Sequence, residues 1–235
     1  MAKLFVFGCS YTQDFNTNRI ENYIQYYKFR GGNYPETWSE VLGRLLNYEV
    51  VNYGVGGSGN EQIFQQFCDK CSEIKQGDMV IIEWSYVNRY RFADSLANDW
   101  TQLGPGPDIH AVGRVLSQIT HDEICVNRSH KVYRDLIYSY EKIIDRLSEV
   151  VGFDHYYWSA DGKLIYTLPH KVKAQRKYLL GSKIMGEQTP FNLVFNLKGE
   201  RIFEETKGEV VDYHFGESAH RIMGELFYEY ITKLI

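Results

Sequence analysis

The order of apolar segments in the first 85 residues constrains the fold most strongly. Three apolar runs, at 3–8, 48–54 and 79–85, have the length and composition of strands that are buried on both faces. Between them lie two stretches with helical periodicity, at 35–46 and at about 61–75. A β-α-β-α-β order is typical of a doubly wound parallel sheet. The sequence therefore predicts an α/β fold with a mostly parallel central sheet.

The rest of the chain extends this pattern less regularly. An amphipathic helix is predicted from His130, a fourth strand at 154–160 and a last helix from about Ala219. The segments "NLVFNL" (192–197) and "ERIFEE" (200–205) could be strands. Three stretches without clear periodicity are predicted to be insertions at the rim of the sheet, at about 13–35, 90–129 and 161–210, and the first of them is expected to be a long loop.

Length and charge limit the class of protein. A chain of 235 residues without internal repeats is predicted to be a single domain, 1–235. The net charge of −4 gives no broad basic surface, so nucleic acid is not an expected partner. No stretch approaches the roughly 18 consecutive apolar residues that cross a bilayer, and the N-terminus lacks the long apolar run of a secretory signal. We therefore expect a cytoplasmic protein that does not contact membranes, and the sequence leaves its oligomeric state open.

Four cysteines are too few for a disulfide framework in a chain of this length and fit a reducing compartment. Cys68 and Cys71 form a CxxC pair, but a structural zinc site needs a second pair, and the other two cysteines lie far from this one. The pair is better explained as part of an apolar helix stripe. We predict no metal ion and no organic cofactor. The predicted stripe consists of Phe64, Phe67, Cys68, Cys71 and Ile74.

Polar residues follow the predicted strands where a parallel sheet binds its ligands, at the carboxyl ends. Ser10 follows the first strand, a glycine-rich loop (54–59) follows the second, and residues 85–89 follow the third. The segment "VVDYHFGESAH" (210–220) precedes the last helix, whose N-terminus is expected at the same edge. Taken singly, each is weak evidence, because a serine after a strand is most often a turn or cap residue.

Their combination is more specific. A nucleophilic hydroxyl needs a base within hydrogen-bond reach, a group that orients this base, and N–H donors for the developing oxyanion. Ser10, His214, Asp212 and the glycine-rich loop supply these parts from segments that the sheet is expected to bring together.

Three short blocks resemble the SGNH (GDSL-type) hydrolases, which are esterases and acylhydrolases with a flavodoxin-like, three-layer α/β/α fold. "FGCSYT" is similar to the first block of that family, which implies that Ser10 is the nucleophile. "NYGVGG" is similar to the second, which implies that the N–H groups of Ser10 and Gly57 form the oxyanion hole. "DYHFGESAH" is similar to the last, which implies that His214 is the base and Asp212 its partner.

The chain departs from the family pattern in its third and last blocks. The third block, Gly-x-Asn-Asp, is absent, and "EWSYVNR" offers Asn88 as an oxyanion donor with Ser85 and Arg89 as competitors. The last block usually reads Asp-x-x-His, whereas Asp212 and His214 are separated by one residue.

These departures leave alternatives open. A backbone carbonyl could orient the imidazole of His214 instead of Asp212, and His220 is the alternative base. Cys9 stands where the family has Asp, and because a thiol hydrogen-bonds poorly, the turn at Ser10 must be held in another way. The Cys9 thiol could itself be a nucleophile, but we expect it to point into the sheet.

The resemblance implies a serine esterase that acts through an acyl-enzyme on Ser10, without a cofactor. An O-acetyl ester on a carbohydrate is the first expectation for the substrate, with Tyr11, Ser85 and Arg89 as candidate binding residues. Aromatic residues expected near the rim could stack on sugar rings, and they are Tyr86, Tyr90, Trp100, Tyr157 and Trp158.

Two other classes of function remain. One is a binding or structural protein with the same fold and no activity, and the other is an acyltransferase that uses the same triad. The short sequence blocks also resemble those of SGNH-like proteins encoded by bacteriophages. If the source is viral, the protein is expected in the host cytoplasm or in the virion.

Overall fold

A computed structural model gives the fold of most of the chain. In the segments 90–94, 99–103 and 130–134 the description covers the backbone alone. The structure describes residues 1–16, 21–85, 90–94, 99–103, 130–159, 177–180 and 190–233.

Strands and helices alternate along the described residues, as the sequence predicts. The strands are β1 (Lys3–Phe7), β2 (Glu49–Asn52), β3 (Met79–Trp84), β4 (Tyr90–Asp94), β5 (Asp99–Leu103) and β6 (Asp154–Ser159). The helices are α1 (Glu21–Phe29), α2 (Trp38–Leu46), α3 (Asn60–Lys70), α4 (His130–Val151), α5 (Pro190–Asn196), α6 (Ile202–Glu205) and α7 (Glu217–Thr232), and a 3₁₀ turn (Cys71–Glu73) follows α3.

Four strands form one parallel sheet in the order β2-β1-β3-β6. Residues 177–180 extend it beyond β6, because Tyr157 donates its N–H to Lys177 O and accepts from Leu179 N–H, both at 2.8 Å, in a parallel bridge. Parallel neighbours place the ends of β1, β2 and β3 at one edge of the sheet, where the loops after these strands meet.

Helices cover both faces of this sheet, because side chains alternate along each strand. In β1, Phe5 and Phe7 pack with residues of α3 and α4 on one face, whereas Leu4 and Val6 pack with residues of α2 and α7 on the other. β1 and β3 are therefore buried on both faces, as their unbroken apolar sequences predict. The result is a flavodoxin-like, three-layer α/β/α sandwich.

Three rim predictions need correction. Residues 21–29 form helix α1 rather than a loop, because Tyr23 and Tyr26 lie three residues apart on one buried face. The two segments that could be strands, at 192–197 and 200–205, lie in and around helices α5 and α6. Helix α5 begins at Pro190, a residue suited to a first turn, and α6 is one turn whose start is held by the hydrogen bond from Arg201 N–H to Glu204 Oε2, at 2.8 Å.

The insertion predicted at 90–129 contains the antiparallel pair β4–β5, and residues 104–129 lie outside the described part. Most of the insertion predicted at 161–210 also lies outside it. In the part of the chain that the structure describes, every helix is too short or too polar to cross a membrane.

Candidate active site

Ser10 lies in a tight turn directly after β1. The carbonyl oxygen of Cys9 accepts hydrogen bonds from the backbone N–H groups of Thr12, at 3.1 Å, and Gln13, at 3.0 Å, so the chain turns through one helical turn at Ser10. Cys9, Thr12 and Gln13 are buried, whereas Ser10 is partly exposed. The turn therefore presents Ser10 at the edge where the parallel strands end.

Asp212 and His214 form a hydrogen-bonded pair in the loop before α7. The Nδ1 atom of His214 lies 2.7 Å from Asp212 Oδ1, and the backbone N–H of His214 donates to the same oxygen at 2.8 Å. The side chain of Asp212 is 4% exposed and that of His214 is 31% exposed, so the carboxylate is enclosed and the imidazole reaches the surface. Asp212 therefore orients the imidazole, and a backbone carbonyl is not needed for this.

The electrostatics of the pair favour an ionised carboxylate. Burial by itself raises the pKa of Asp212, but the hydrogen bond and charge of the His214 ring, together with donors from the His214 backbone and the Asn22 side chain, lower the pKa below its ordinary value. Nδ1 is therefore assigned as the protonated nitrogen of a neutral His214, which leaves the Nε2 lone pair to accept a proton.

The imidazole of His214 packs against two tyrosine rings, one of which belongs to the turn at Ser10. The ring centroid of His214 lies 5.2 Å from that of Tyr11, the residue after Ser10, and 6.2 Å from that of Tyr23 in α1. In the described part of the chain, no hydrogen bond joins the Ser10 hydroxyl to His214. Catalytic hydrogen bonds are often long in unliganded sites and shorten when substrate binds.

Gly57 occupies the glycine-rich loop that follows β2. Ser58 N–H donates to Val55 O at 3.2 Å, and Gly57 is the third residue of this turn with φ of 81°, the position that requires glycine in a type II turn. Gly57 is exposed. The conformation fits the predicted role, because a side chain at this position would strain the backbone whose N–H is the candidate oxyanion donor.

Asn52, at the end of β2, links this loop to the turn at Ser10. Its amide Nδ2 donates to Thr12 O at 2.7 Å, and its Oδ1 accepts from Gly54 N–H at 2.8 Å. A Cβ on Gly54 would lie 2.6 Å from Gln13 N, so glycine is needed for the two loops to approach so closely. The structure thus brings the first and second sequence blocks together.

The candidates after β3 are only partly described. Ser85 is fully buried, its N–H donates to Asn60 Oδ1 at 2.7 Å, and its carbonyl accepts from Asn60 Nδ2 at 3.2 Å. Asn88 and Arg89 lie outside the described residues, so the predictions that they contribute to the site stay predictions.

Glu83 is a residue of the site that sequence reasoning missed. It is fully buried in β3, and its carboxylate accepts hydrogen bonds from Cys9 N–H, the Cys9 thiol and the Thr12 hydroxyl. Cys9 does point inward, as predicted, and is fully buried. The signal in the sequence was a single acidic residue within the apolar strand "MVIIEW".

His220, the alternative base, uses its imidazole in a hydrogen bond to helix α2. Its Nδ1 accepts the backbone N–H of Trp38, the first residue of α2, at 3.1 Å, and the side chain is buried in the first turn of α7. Burial, with a smaller contribution from the nearby His214, lowers the pKa of His220 to about 3. A neutral imidazole therefore caps α2, which is a structural role.

Several other sequence candidates lie away from the site. Tyr157 and Trp158 are 2% and 0% exposed, so they are core residues and not rim aromatics, because β6 is covered on both faces. Of the predicted apolar stripe, Phe67 and Ile74 are buried and Phe64 and Cys71 pack against the core, whereas Cys68 is exposed. Among the described residues, no group of three or more histidine, cysteine, aspartate or glutamate side chains could hold a metal ion.

Comparisons with known proteins bear on the fold. No protein-family model matches the chain, and no curated protein matches it. The chain is similar to the solved structure of a protein from Desulfitobacterium hafniense DCB-2 that is provisionally assigned to the lipolytic G-D-S-L family. Sequence identity is 16%, the match covers 98% of this chain and 99% of the other, and the TM-score is 0.51. At this identity the likeness concerns the fold, and the chain shares its three-layer α/β/α architecture with that protein.

Proposed function

We propose that the protein is a serine esterase with Ser10 as its nucleophile. The observation that carries the proposal is the Asp212–His214 pair, whose imidazole packs against Tyr11, the residue after Ser10. A hydroxyl at the end of a parallel strand and a base held by a buried carboxylate are parts that nucleophilic catalysis requires. The similarity in fold to a protein assigned to the lipolytic G-D-S-L family agrees with this chemistry.

In the proposed reaction, Ser10 Oγ attacks the ester carbonyl while His214 Nε2 accepts the hydroxyl proton. The bond to the alcohol breaks, His214 gives its proton to the leaving alcohol, and the acyl group remains on Ser10. Water then attacks the acyl carbonyl, His214 accepts a proton from it and returns that proton to Ser10 Oγ as the acid leaves. The N–H groups of Ser10 and Gly57 stabilise both oxyanions, and Asn88 is proposed as a third donor.

A carbohydrate O-acetyl ester is the substrate class that we propose to test first. Tyr11 is an aromatic residue that could contact a sugar ring of such a substrate, because its partly buried ring lies against His214. Transfer of the acyl group to an alcohol would use the same residues, and its product would be a new ester rather than an acid.

Hydrolysis of a short-chain chromogenic ester tests the proposal. Ser10→Ala should abolish turnover while the free energy of unfolding changes by less than about 0.5 kcal/mol, because Ser10 is partly exposed. Cys9→Ala is the neighbouring control and should lose no more than about tenfold in turnover, because it removes only the weak thiol donor to Glu83 and keeps the backbone N–H of Cys9. Loss of activity in the Cys9 variant with retention in the Ser10 variant would overturn the assignment, and absence of turnover in the wild type across a panel of esters would favour an inactive scaffold.

A further inference from the structure

The burial of the Glu83 carboxylate within an apolar strand is not explained by the proposed function alone. It lies within β3, where the other residues, Met79–Ile82 and Trp84, are apolar and buried, and it is itself 0% exposed. A buried carboxylate is costly unless donors surround it. A strand that merely filled the core would carry an apolar residue at this position.

Three hydrogen bonds to Glu83 come from residues on the two sides of Ser10. Its Oε2 accepts from Cys9 N–H at 3.0 Å and from Thr12 Oγ1 at 2.6 Å, and its Oε1 accepts from the Cys9 thiol at 2.9 Å. An ionised carboxylate can only accept hydrogen bonds, and bonds to such a charge are stronger than neutral ones. One side chain thus fixes the residues at positions −1 and +2 relative to the candidate nucleophile.

Gly8 makes room for this arrangement. A Cβ at Gly8 would lie 2.6 Å from both Glu83 Oε2 and Thr12 Oγ1. Real side chains do not approach so closely, so any larger residue at position 8 would displace the carboxylate or the hydroxyl. The glycine is therefore explained by the contact between β3 and the turn.

We infer that Glu83 is the positioning residue of the nucleophile turn. It holds the turn so that the Ser10 hydroxyl faces the base and the Ser10 N–H faces the oxyanion, and it does so from the neighbouring strand because Cys9 carries no carboxylate. This inference rests on the proposed function. Glu83 acts through Cys9 and Thr12 and does not touch the reacting atoms.

Steady-state kinetics of folded variants distinguish a positioning role of Glu83 from a general contribution to the stability of the fold. Glu83→Gln should lower kcat roughly 10²-fold with KM changed little, which is the loss expected from a displacement of about 1 Å in a catalytic group. Thr12→Val, which removes one donor with little change in shape, should lower kcat about tenfold and keeps the test usable if Glu83→Gln does not fold. Glu141→Gln is the matched control, since Glu141 is also buried, at 2% exposure, but contacts Trp84 and Tyr178 instead of the turn. Wild-type kcat in folded Glu83→Gln or Thr12→Val would overturn the inference.

Moving the carboxylate gives a second test. Cys9→Asp alone sets two carboxylates against each other and should lower kcat. The double variant Cys9→Asp, Glu83→Gln returns to one carboxylate, now on the turn itself, and should recover kcat to within a few-fold of the wild type. A double variant no more active than either single variant would contradict a positioning role for this carboxyl group.

A spectroscopic readout does not depend on catalysis. The infrared difference between wild type and Cys9→Ala isolates the S–H stretching band of Cys9, and Glu83→Gln should shift this band to higher frequency because an amide oxygen is a weaker acceptor than a carboxylate. An unshifted band would overturn the hydrogen bond. If a fluorophosphonate does not label Ser10 in the wild type, the proposed esterase fails while the infrared test of the contact still stands.

Discussion

The Nδ1 atom of His214 lies 2.7 Å from the Oδ1 atom of Asp212, although the two residues are separated by a single residue in the chain. A spacing of two in extended backbone directs both side chains to the same side. Tyr213, between them, is accordingly 60% exposed. The short Asp-x-His spacing therefore still produces the contact that a catalytic pair needs.

Asp212→Asn should reduce kcat strongly, by up to about 10⁴-fold, with little change in KM. The amide can donate to Nδ1 and so stabilise the tautomer that cannot accept a proton from Ser10. Steady-state kinetics on a chromogenic ester provide the measurement. His214→Ala should be at least as damaging and the double variant little worse, because the pair acts as a unit. A nearly silent Asp212→Asn would show that another group orients the imidazole.

Gly57→Ala should lower kcat by about 10²–10³-fold, the loss typical of one oxyanion donor. Gly57 has φ of 81°, and a Cβ there would force the loop to move the N–H. Gly77→Ala is the matched control, because Gly77 has nearly the same φ, 83°, but precedes β3 at the opposite edge of the sheet. Both variants should lose some stability, measured by urea unfolding. Equal kcat values for the two would remove Gly57 from the site.

Glu141→Gln should change how stability depends on pH. Burial raises the pKa of Glu141 to about 7 despite donors from Tyr178 and Trp84, so the folded protein holds a proton that the unfolded chain releases near pH 4.5. The wild type should therefore lose stability as pH rises from about 4.5 through about 7. Urea unfolding across this range should show a smaller loss for Glu141→Gln, and identical slopes for the two proteins would contradict this account.

His220→Asn tests the structural role of the second histidine. The pKa of His220 is lowered to about 3, so its contribution to stability is present above about 6.5 and is lost as pH falls toward 3. Asn Oδ1 can replace Nδ1 as acceptor for Trp38 N–H. The variant should keep wild-type kcat and lose less stability on acidification than the wild type. A dead but folded His220→Asn would instead make His220 the base.

The sheet and its main helices could be predicted from local sequence, whereas the helices at the rim of the sheet could not. The unbroken apolar runs of β1 and β3 identify buried parallel strands directly from their residues. Helix α1 was missed because its buried face consists of Tyr23 and Tyr26, which hydropathy alone does not separate from a polar loop. Helices α5 and α6 are short enough that a few apolar residues fit either period.

The residues of the candidate site also divide into those that the sequence predicts and those that only the structure shows. Ser10, Gly57, Asp212 and His214 stand in short blocks that point to their chemistry. Glu83 stands in no such block, because its role depends on the register of β3 against β1, which pairs Phe7 with Ile82 and sets Glu83 beneath the turn. A contact between residues so far apart in the sequence is seen only in the three-dimensional structure.

Mass spectrometry after treatment with a fluorophosphonate tests the central claim most directly. Ser10 Oγ should displace fluoride, and the adduct should map to the peptide that contains Ser10, at a rate that falls sharply in His214→Ala and in Asp212→Asn. Ser10→Ala should remain unmodified. An adduct on Cys9 or on a serine elsewhere, or no adduct on a folded wild-type protein, would contradict Ser10 as the nucleophile.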